Sequence, residues 1–419
     1  MTLTQHQQEV AAGGLIEDPY GFYQQLQDRP PVHFSEAFGA WMLGGYSDVS
    51  SALRDPRLSL GGGARFMFER LESEERQALA PLERHVSLWM GTLDPPQHTR
   101  IRSLMQRAFS GELVEAMRHF TGQVVHQLID AQIEAGRMDI VSDLAYPLPA
   151  RVIAKVLGTP VGDAPRFLEW SQVLTEFIAY GLMRTDVLFR AQETVGEMTE
   201  YFLGLLDGAE GSEGLLGNLI RLPEWQDAQV REQLLANCVL LLFAGHETTT
   251  ILIGNSVLAL IQHPRQLEEL RQEPGLMRSA VQECLRFDSP IQMVRRLAVD
   301  DLEFGDRQIS QGEFVWLCLG AANRDPARFA QPHRLDVRRA KSRHLAFGSG
   351  IHYCLGAALS SLEAEVALAA VLERLDGLRL DPERLDGARL QWQDNPTARS
   401  LQSLPVAFAA ECPTRGEAS

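Results

Sequence analysis

Long hydrophobic runs are missing from this 419-residue sequence. The most apolar stretch, Cys238 to Gly245, falls well short of the roughly 20 residues that a membrane-spanning helix needs. Met1 to Tyr20 mixes Gln, His, Glu and Gly with only short apolar stretches, which supplies neither a signal-peptide core nor a membrane anchor. The five cysteines, Cys238, Cys284, Cys318, Cys354 and Cys412, form no CxxC or CxxCH pair, and this excludes the common zinc-ribbon and c-type haem attachment spacings. The glycine fingerprint of dinucleotide-binding folds is absent, as are internal repeats and any interdomain linker rich in Gly or Pro. Positive charge is scarce: 39 Lys plus Arg stand against 55 Asp plus Glu, a net charge of -16, which disfavours nucleic acid as a partner. The expectation is a soluble cytoplasmic protein with thiols kept reduced.

What is present is long helical periodicity. Ile101 to Gln132, Gln192 to Leu206, Ala228 to Gln262, Leu276 to Phe287 and Leu355 to Leu375 carry apolar residues at helical spacing, with Pro264 and Pro290 as stops for the helices before them. Strand signals are shorter: Trp41 to Leu43, Leu297 to Phe304, Phe314 to Leu319 and Leu404 to Phe408. The expected fold is mainly α with small β-sheets, one domain over 1–419, with flexible tails at 1–15 and 411–419. Leu58 to Gly91 reads as an irregular segment, a surface loop or a lid.

The most informative segment is Phe347-Gly348-Ser349-Gly350-Ile351-His352-Tyr353-Cys354-Leu355-Gly356, which leads into the last long helix. Its glycines let the backbone fold closely around a central atom, and a cysteine at a helix N-terminus is favoured as thiolate. This segment resembles the haem-binding signature of the cytochrome P450 family, Phe-x-x-Gly-x-x-x-Cys-x-Gly, with Phe347, Gly350, Cys354 and Gly356 on its fixed positions. The resemblance implies the cytochrome P450 fold, with Cys354 as the iron ligand of iron protoporphyrin IX (haem b) and Gly348 in the same cofactor-binding loop. A thiolate ligand pushes electron density onto haem iron and promotes O–O cleavage.

Ala228 to Gln262 contains Ala244-Gly245-His246-Glu247-Thr248-Thr249-Thr250. Small residues followed by three β-branched threonines break helix propensity, and a threonine hydroxyl can bond back one turn and bend the helix. The segment resembles the family's oxygen-binding helix, small-Gly-x-acid-Thr. Ala244 and Gly245 are then beside the cofactor, with Glu247 as a proton feeder and Thr248 as the alcohol that stabilises the protonated oxygen, since breaking dioxygen's bond requires two protons. His246 has no His or Cys partner at helical spacing and reads as structural.

Glu283 and Arg286 match the family's Glu-x-x-Arg, and Pro332-His333-Arg334-Leu335 resembles the segment supplying a second arginine, so Glu283, Arg286 and Arg334 are expected to support the cysteine loop. For the haem propionates the resemblance nominates His98 and Arg102 after Asp94-Pro95-Pro96, together with Arg296 and His352. Asn323-Arg324-Asp325-Pro326 is expected as a structural turn. Leu88, Trp89, Leu240, Phe243, Ile291, Met293, Val294 and Leu401 fall where the family lines its substrate pocket. The likeness runs in order from Asp94-Pro95-Pro96 to Leu404-Pro405. Departures are Ser360-Ser361, where the family often has Ala-Arg, and His333 in place of an acid.

The activity implied is a monooxygenase that uses dioxygen to hydroxylate or epoxidise a small, largely apolar substrate of secondary metabolism, such as a macrolide, terpenoid, steroid or fatty acyl chain. Electrons come from a ferredoxin and an NAD(P)H-driven ferredoxin reductase, docking beside Arg338, Arg339, Lys341, Arg343 and His344, and the protein is a monomer without membrane anchor. A peroxide-driven peroxygenase and a non-catalytic haem sensor are the alternatives.

Overall fold

The computed structural model describes residues 15–27, 32–36, 38–180, 184–206, 213–339, 343–385 and 389–409. Among them, eight helices reach eleven residues or more. They are α1 (Gln97–Ala108), α2 (Gly111–Ile133), α3 (Pro147–Leu157), α4 (Ala164–Tyr180), α5 (Thr185–Leu206), α6 (Ala228–Gln262), α7 (Met277–Phe287) and α8 (Ala357–Arg374). The fold is mainly α with small sheets.

Helix α6 has the bounds read from the sequence. Asp227 opens it by accepting the N–H groups of Gln229 at 2.9 Å and Val230 at 3.3 Å, and it ends at His263 ahead of Pro264. By length and apolarity it could cross a membrane, but 72% of its most apolar window is buried inside the fold. It is the central core helix, packed against α3, α4 and α8.

Two expected elements are divided. Ile101 to Gln132 is not one helix, because Ser110 accepts the Leu113 N–H at 3.2 Å and restarts the chain as α2; a capping hydroxyl wins the backbone from helix continuation there. Leu297 to Phe304 splits at Val299 to Asp301 into two strands. Leu58 to Gly91, expected to be irregular, instead forms short helices at Gly61–Glu69, Ser73–Ala78 and Ala80–Val86 and a single turn at Met90–Thr92. Pieces this short owe their helicity to packing rather than propensity.

The largest sheet has strand order β1-β2-β8-β5-β3, with β1 Val32–Ser35, β2 Ala40–Leu43, β3 Leu58–Ser59, β5 Met293–Ala298 and β8 Phe314–Cys318. Only the β2–β8 pairing is parallel. A second sheet orders β4 (Arg137–Asp139), β10 (Pro405–Ala407) and β9 (Arg379–Leu380), and β6 (Leu302–Phe304) pairs with β7 (Arg307–Ile309). One apolar cluster reaches from Met67 to Phe408. The expected tails lie outside the described residues except for Leu15, which is buried.

Candidate functional site

The cysteine loop is a tight fold built on two left-handed glycines, Gly348 at φ 73° and Gly350 at φ 75°. A side chain at Gly350 would meet the Leu53 carbonyl at 2.9 Å, so the loop also needs glycine for close approach. The Cys354 N–H donates to the Phe347 carbonyl at 2.9 Å, and Gly348 N–H donates to Leu345 at 2.8 Å, closing the loop on itself. Cys354 ends it just ahead of α8 with an accessible thiol. Enclosure by the loop pushes the thiol up from its ordinary value, while the Gly356 and Ala357 N–H groups and the Arg102 guanidinium pull it the other way.

Around His352, two residues before the cysteine, the structure gathers the other three expected groups, His98, Arg102 and Arg296. The His98 and His352 rings lie 4.3 Å apart, and Arg102 Nη2 donates to the Tyr353 carbonyl at 2.6 Å. Arg296 is buried on β5, with Nη1 donating to the Arg295 carbonyl at 2.9 Å. Strand alternation turns Arg295 to the other face, over Phe314 and Trp316. Desolvation, then His98, Arg296 and Arg102, push the His352 imidazole down to about 3. Both ring nitrogens of His98 and Nε of Arg102 are buried without a partner. Orphaned donors and like charges crowded together are tolerable where an anionic ligand completes them. The donor set, one thiol at a helix N-terminus with two arginines and two imidazoles nearby, fits a haem with its two propionates.

Along α6, Leu240, Ala244, Gly245, Glu247 and Thr248 are partly accessible within an otherwise buried stretch, and the spacing of Leu240, Ala244, Glu247 and Thr248 puts those four on one side of the helix. Thr248 Oγ1 donates to the Ala244 carbonyl at 3.0 Å. Desolvation raises the Glu247 carboxyl above its ordinary value. A side chain at Gly245 would be directed at Ile153 of α3, at 3.4 Å from an ideal Cβ, so glycine here lets α6 and α3 pack closely. Thr249 and Thr250 also bond back, to Gly245 at 3.0 Å and His246 at 3.1 Å. His246 is buried, bonded through Nε2 to the Tyr146 carbonyl at 3.0 Å, and held neutral by desolvation with its value pushed down to about 4, which agrees with a structural role.

Behind the cysteine loop, Arg286 is fully buried and forked onto Glu283 through Nε and Nη2, both at 2.8 Å. Its remaining donors reach the carbonyls of Asn323 and Pro332 at 2.9 Å and Arg334 at 3.2 Å. The second arginine on Glu283 is Arg339, at 3.0 Å from both carboxylate oxygens. Arg334, the expected partner, offers its backbone carbonyl, and its side chain turns to Gln331. Asn323 continues the network by accepting the Leu345 N–H at 2.7 Å. The turn at Asn323 to Pro326 is as expected, with Asp325 accepting Tyr46 N–H at 2.8 Å.

The basic face expected before the loop is largely spent. Arg338 pairs with Glu269 and Glu273, Arg339 with Glu283, and His344 is bonded to Gln282 and held neutral. Lys341 lies outside the described residues; Arg343 stays exposed.

Of the pocket candidates, Trp89 packs on Phe243 with ring centroids 5.6 Å apart, Leu240 faces Gly91, and Leu88, Ile291 and Val294 are half-buried. Two are corrected. Met293 points to the opposite face of β5 from Arg296, into a small core with Tyr23, Met42 and Cys318. Leu401 lies against Gly254, six residues or roughly 9 Å along α6 past Thr248. A cavity of about 470 Å³ lined by Ser59, Gly62, Arg65, Phe68, Thr92 and Asp94 opens beside the start of α1, away from Thr248.

Sequence reasoning missed Asn237, whose amide accepts the Met90 N–H at 2.8 Å and donates to the Leu88 carbonyl at 3.0 Å. A lone amide inside the apolar run of α6 was its signal. Glu363 on α8 was missed as well. It is 1% exposed, its Oε2 has no partner, and burial raises its carboxyl well above the ordinary value. The fold therefore holds this proton more tightly than the unfolded chain, so its contribution to stability is full below the ordinary glutamate value and is lost as pH rises above it. Removing the ionisable group in Glu363→Gln is expected to flatten that decline by up to about 1.4 kcal/mol per pH unit. Urea unfolding of both proteins at pH 5 to 8 measures it; parallel slopes would refute it.

Residues 226–384 match the family model described as Cytochrome P450. The chain is 34% identical over 405 residues to the biotin biosynthesis cytochrome P450 of Bacillus subtilis, covering 95% of this chain and 98% of that protein. It is 37% identical over 401 residues to the cytochrome P450 monooxygenase PikC of Streptomyces venezuelae, covering 93% and 91%. In structure it superposes with a TM-score of 0.84 and 33% identity on P450BioI in complex with an acyl carrier protein ligated with hexadec-9Z-enoic acid, over 96% of this chain and 100% of that one.

Proposed function

This chain belongs to the cytochrome P450 family and is a haem b monooxygenase, and from that premise we propose how its residues divide the work. Haem supplies thiolate-promoted cleavage of dioxygen when bound. Cys354 is its iron ligand; the N–H groups of Gly356 and Ala357 and the charge of Arg102 favour its anionic form against the desolvation that raises the free thiol. His98, Arg102, Arg296 and His352 take the propionates. The observation that carries this assignment is the orphaned nitrogens of His98 and Arg102 near the one accessible cysteine among the described residues.

Thr248 and Glu247 handle protons. The Thr248 hydroxyl is parked on the Ala244 carbonyl, so it presents its oxygen to the internal space and can rotate to donate. Glu247, desolvated and without an ion pair among the described residues, holds a proton more readily than an exposed glutamate and so can pass one on. Thr248→Ala is expected to leave haem binding intact and to cut product per reduced nicotinamide consumed, by up to about 100-fold, with hydrogen peroxide appearing instead. Unchanged coupling would overturn the role. This proton-handling pair favours dioxygen over a peroxide-driven cycle.

The enzyme depends on separate redox partners. These are a ferredoxin and its NAD(P)H-driven reductase, and the contact surface is the exposed pair Ile351 and Tyr353, with Arg54 against Gly350 and Arg343 nearby as remaining cations. The protein works as a soluble cytoplasmic monomer and a single domain. Its substrate is a small, largely apolar molecule of secondary metabolism, hydroxylated or epoxidised over the Leu240, Phe243 and Ala244 side of α6. The acyl-carrier complex of one relative adds a carrier-tethered acyl chain to the substrate classes.

A further inference from the structure

Glu247 can pass a proton inward only if one reaches it, and no charged side chain pairs with it among the described residues. The neighbour that the fold gives it is Tyr146, which joins the Ile140–Ala145 turn to α3. Two contacts pin that residue to the α6 turn bearing Glu247. Thr250 Oγ1 shares its proton between the Ala145 carbonyl at 3.0 Å and the His246 carbonyl at 3.1 Å, and His246 Nε2 donates to the Tyr146 carbonyl at 3.0 Å. The Tyr146 and His246 rings also meet edge to face, with centroids 4.6 Å apart. Residues on either side of Glu247 in α6 therefore hold Tyr146 in place.

His246 is not the supplier of protons. Its Nε2–H is spent on a carbonyl, its Nδ1 is buried without a partner, and desolvation pushes the imidazole down to about 4, so it stays neutral. Tyr146 differs on each count. Its ring is half-buried, and its hydroxyl is neither sealed off from water nor bonded to protein among the described residues. Desolvation raises the phenol from its ordinary value, and the one charge that adds to this is the Glu247 carboxylate. The two groups thus sense each other without a direct hydrogen bond, a spacing that a bridging water fills. A tyrosine used for packing alone gains nothing from its hydroxyl here, since phenylalanine would cover His246 as well.

We propose that the Tyr146 hydroxyl is the relay through which solvent reloads Glu247 with protons. The proposal rests on the oxygenase reading and extends its proton path by one residue. The phenol oxygen accepts a proton from solvent as it gives its own, through one bridging water, to the Glu247 carboxylate. It is neutral before and after each transfer, and solvent supplies the proton that Glu247 gains. Glu247 then hands that proton on beside Thr248. Tyr146 touches neither substrate nor cofactor; it acts through Glu247, by keeping that carboxyl loaded.

The test compares the haem-loaded parent, Tyr146→Phe, Glu247→Gln and the double variant. The probe is the member of an alkoxycoumarin series that the parent dealkylates fastest, driven either by ferredoxin, reductase and dioxygen or by excess hydrogen peroxide. Hydrogen peroxide is dioxygen that already carries both electrons and both protons, so it bypasses the relay. Tyr146→Phe is expected to slow dioxygen-driven dealkylation by about tenfold, less than the roughly 100-fold of a positioned acid because water still finds Glu247 without the phenol. It is expected to leave the peroxide-driven rate unchanged and to add nothing to Glu247→Gln in the double variant. An unchanged dioxygen-driven rate, or an equal loss with both oxidants, overturns the relay. A second readout needs no turnover. In an alkaline ultraviolet titration, the difference between parent and Tyr146→Phe isolates this phenol among the seven tyrosines. The same difference between Glu247→Gln and the double variant is expected to titrate nearer the ordinary tyrosine value, because the charge that raises it is gone. A phenol that titrates alike with and without Glu247 overturns the pairing. If the parent dealkylates no alkoxycoumarin with dioxygen, the oxygenase reading fails and the relay falls with it; dealkylation as fast in Tyr146→Phe as in the parent removes the relay alone.

Discussion

Cys354→Ser is expected to fold and to lose product formation by more than about 100-fold, since removing even a supporting partner of a metal ligand costs 10–100-fold. The loop does not depend on the sulfur for its shape. Its turns come from Gly348 and Gly350, and its closing bond is the Cys354 backbone N–H on Phe347; serine keeps both. What serine cannot supply is a soft sulfur donor that gives up its proton on binding iron, because a hydroxyl is far less acidic than a thiol. Far-ultraviolet circular dichroism should therefore match the parent protein while turnover with reductase, oxygen and substrate disappears. Turnover within a factor of a few of the parent would remove Cys354 from the centre of the chemistry.

Arg286→Leu is expected to be the most destabilising single change, by about 3–5 kcal/mol, the usual result of leaving one partner of a buried pair unpaired. Arg286 is 0% exposed and serves Glu283 and three backbone carbonyls at once. Its loss strands the Glu283 carboxylate, with Arg339 as its remaining cation, and frees the Asn323 segment that holds Leu345 at the entrance of the cysteine loop. Chemical denaturation and the fraction of haem retained after gel filtration measure the effect together. Stability within 1 kcal/mol of the parent would place this network with ordinary surface pairs.

The parts of this protein that were legible in the sequence are those whose signal is local. Helix α6 was bounded by its apolar period and by Pro264, which acts on the backbone within a turn; the cap at its start, Asp227, came from the structure. The cysteine loop was readable because close backbone folding demands glycine at fixed positions, and Gly348 and Gly350 do adopt left-handed conformations. The four groups nominated for the propionates come from α1, β5 and the loop, and the fold brings them together.

What failed depended on direction or on competition. Met293 and Leu401 were placed by order along the chain, but strand alternation and the length of α6 send them into core packing. Arg334 and Arg339 are five residues apart in a turn, and only the three-dimensional path decides which guanidinium meets Glu283. Ser110 was read as part of one helical period, and it caps a new helix instead. The basic stretch before the loop was visible as charge, but the acids on other elements that neutralise Arg338 and Arg339 were not.

The central claim, that Cys354 presents a thiolate to haem iron, is tested most directly by the absorption spectrum of the reduced, haem-loaded protein under carbon monoxide. The account predicts the long-wavelength Soret band that marks thiolate ligation in the parent protein, replaced in Cys354→Ser by the shorter-wavelength band of an oxygen- or nitrogen-ligated haem. A parent spectrum with only the shorter-wavelength band across preparations, or a long-wavelength band that survives in Cys354→Ser, would contradict it.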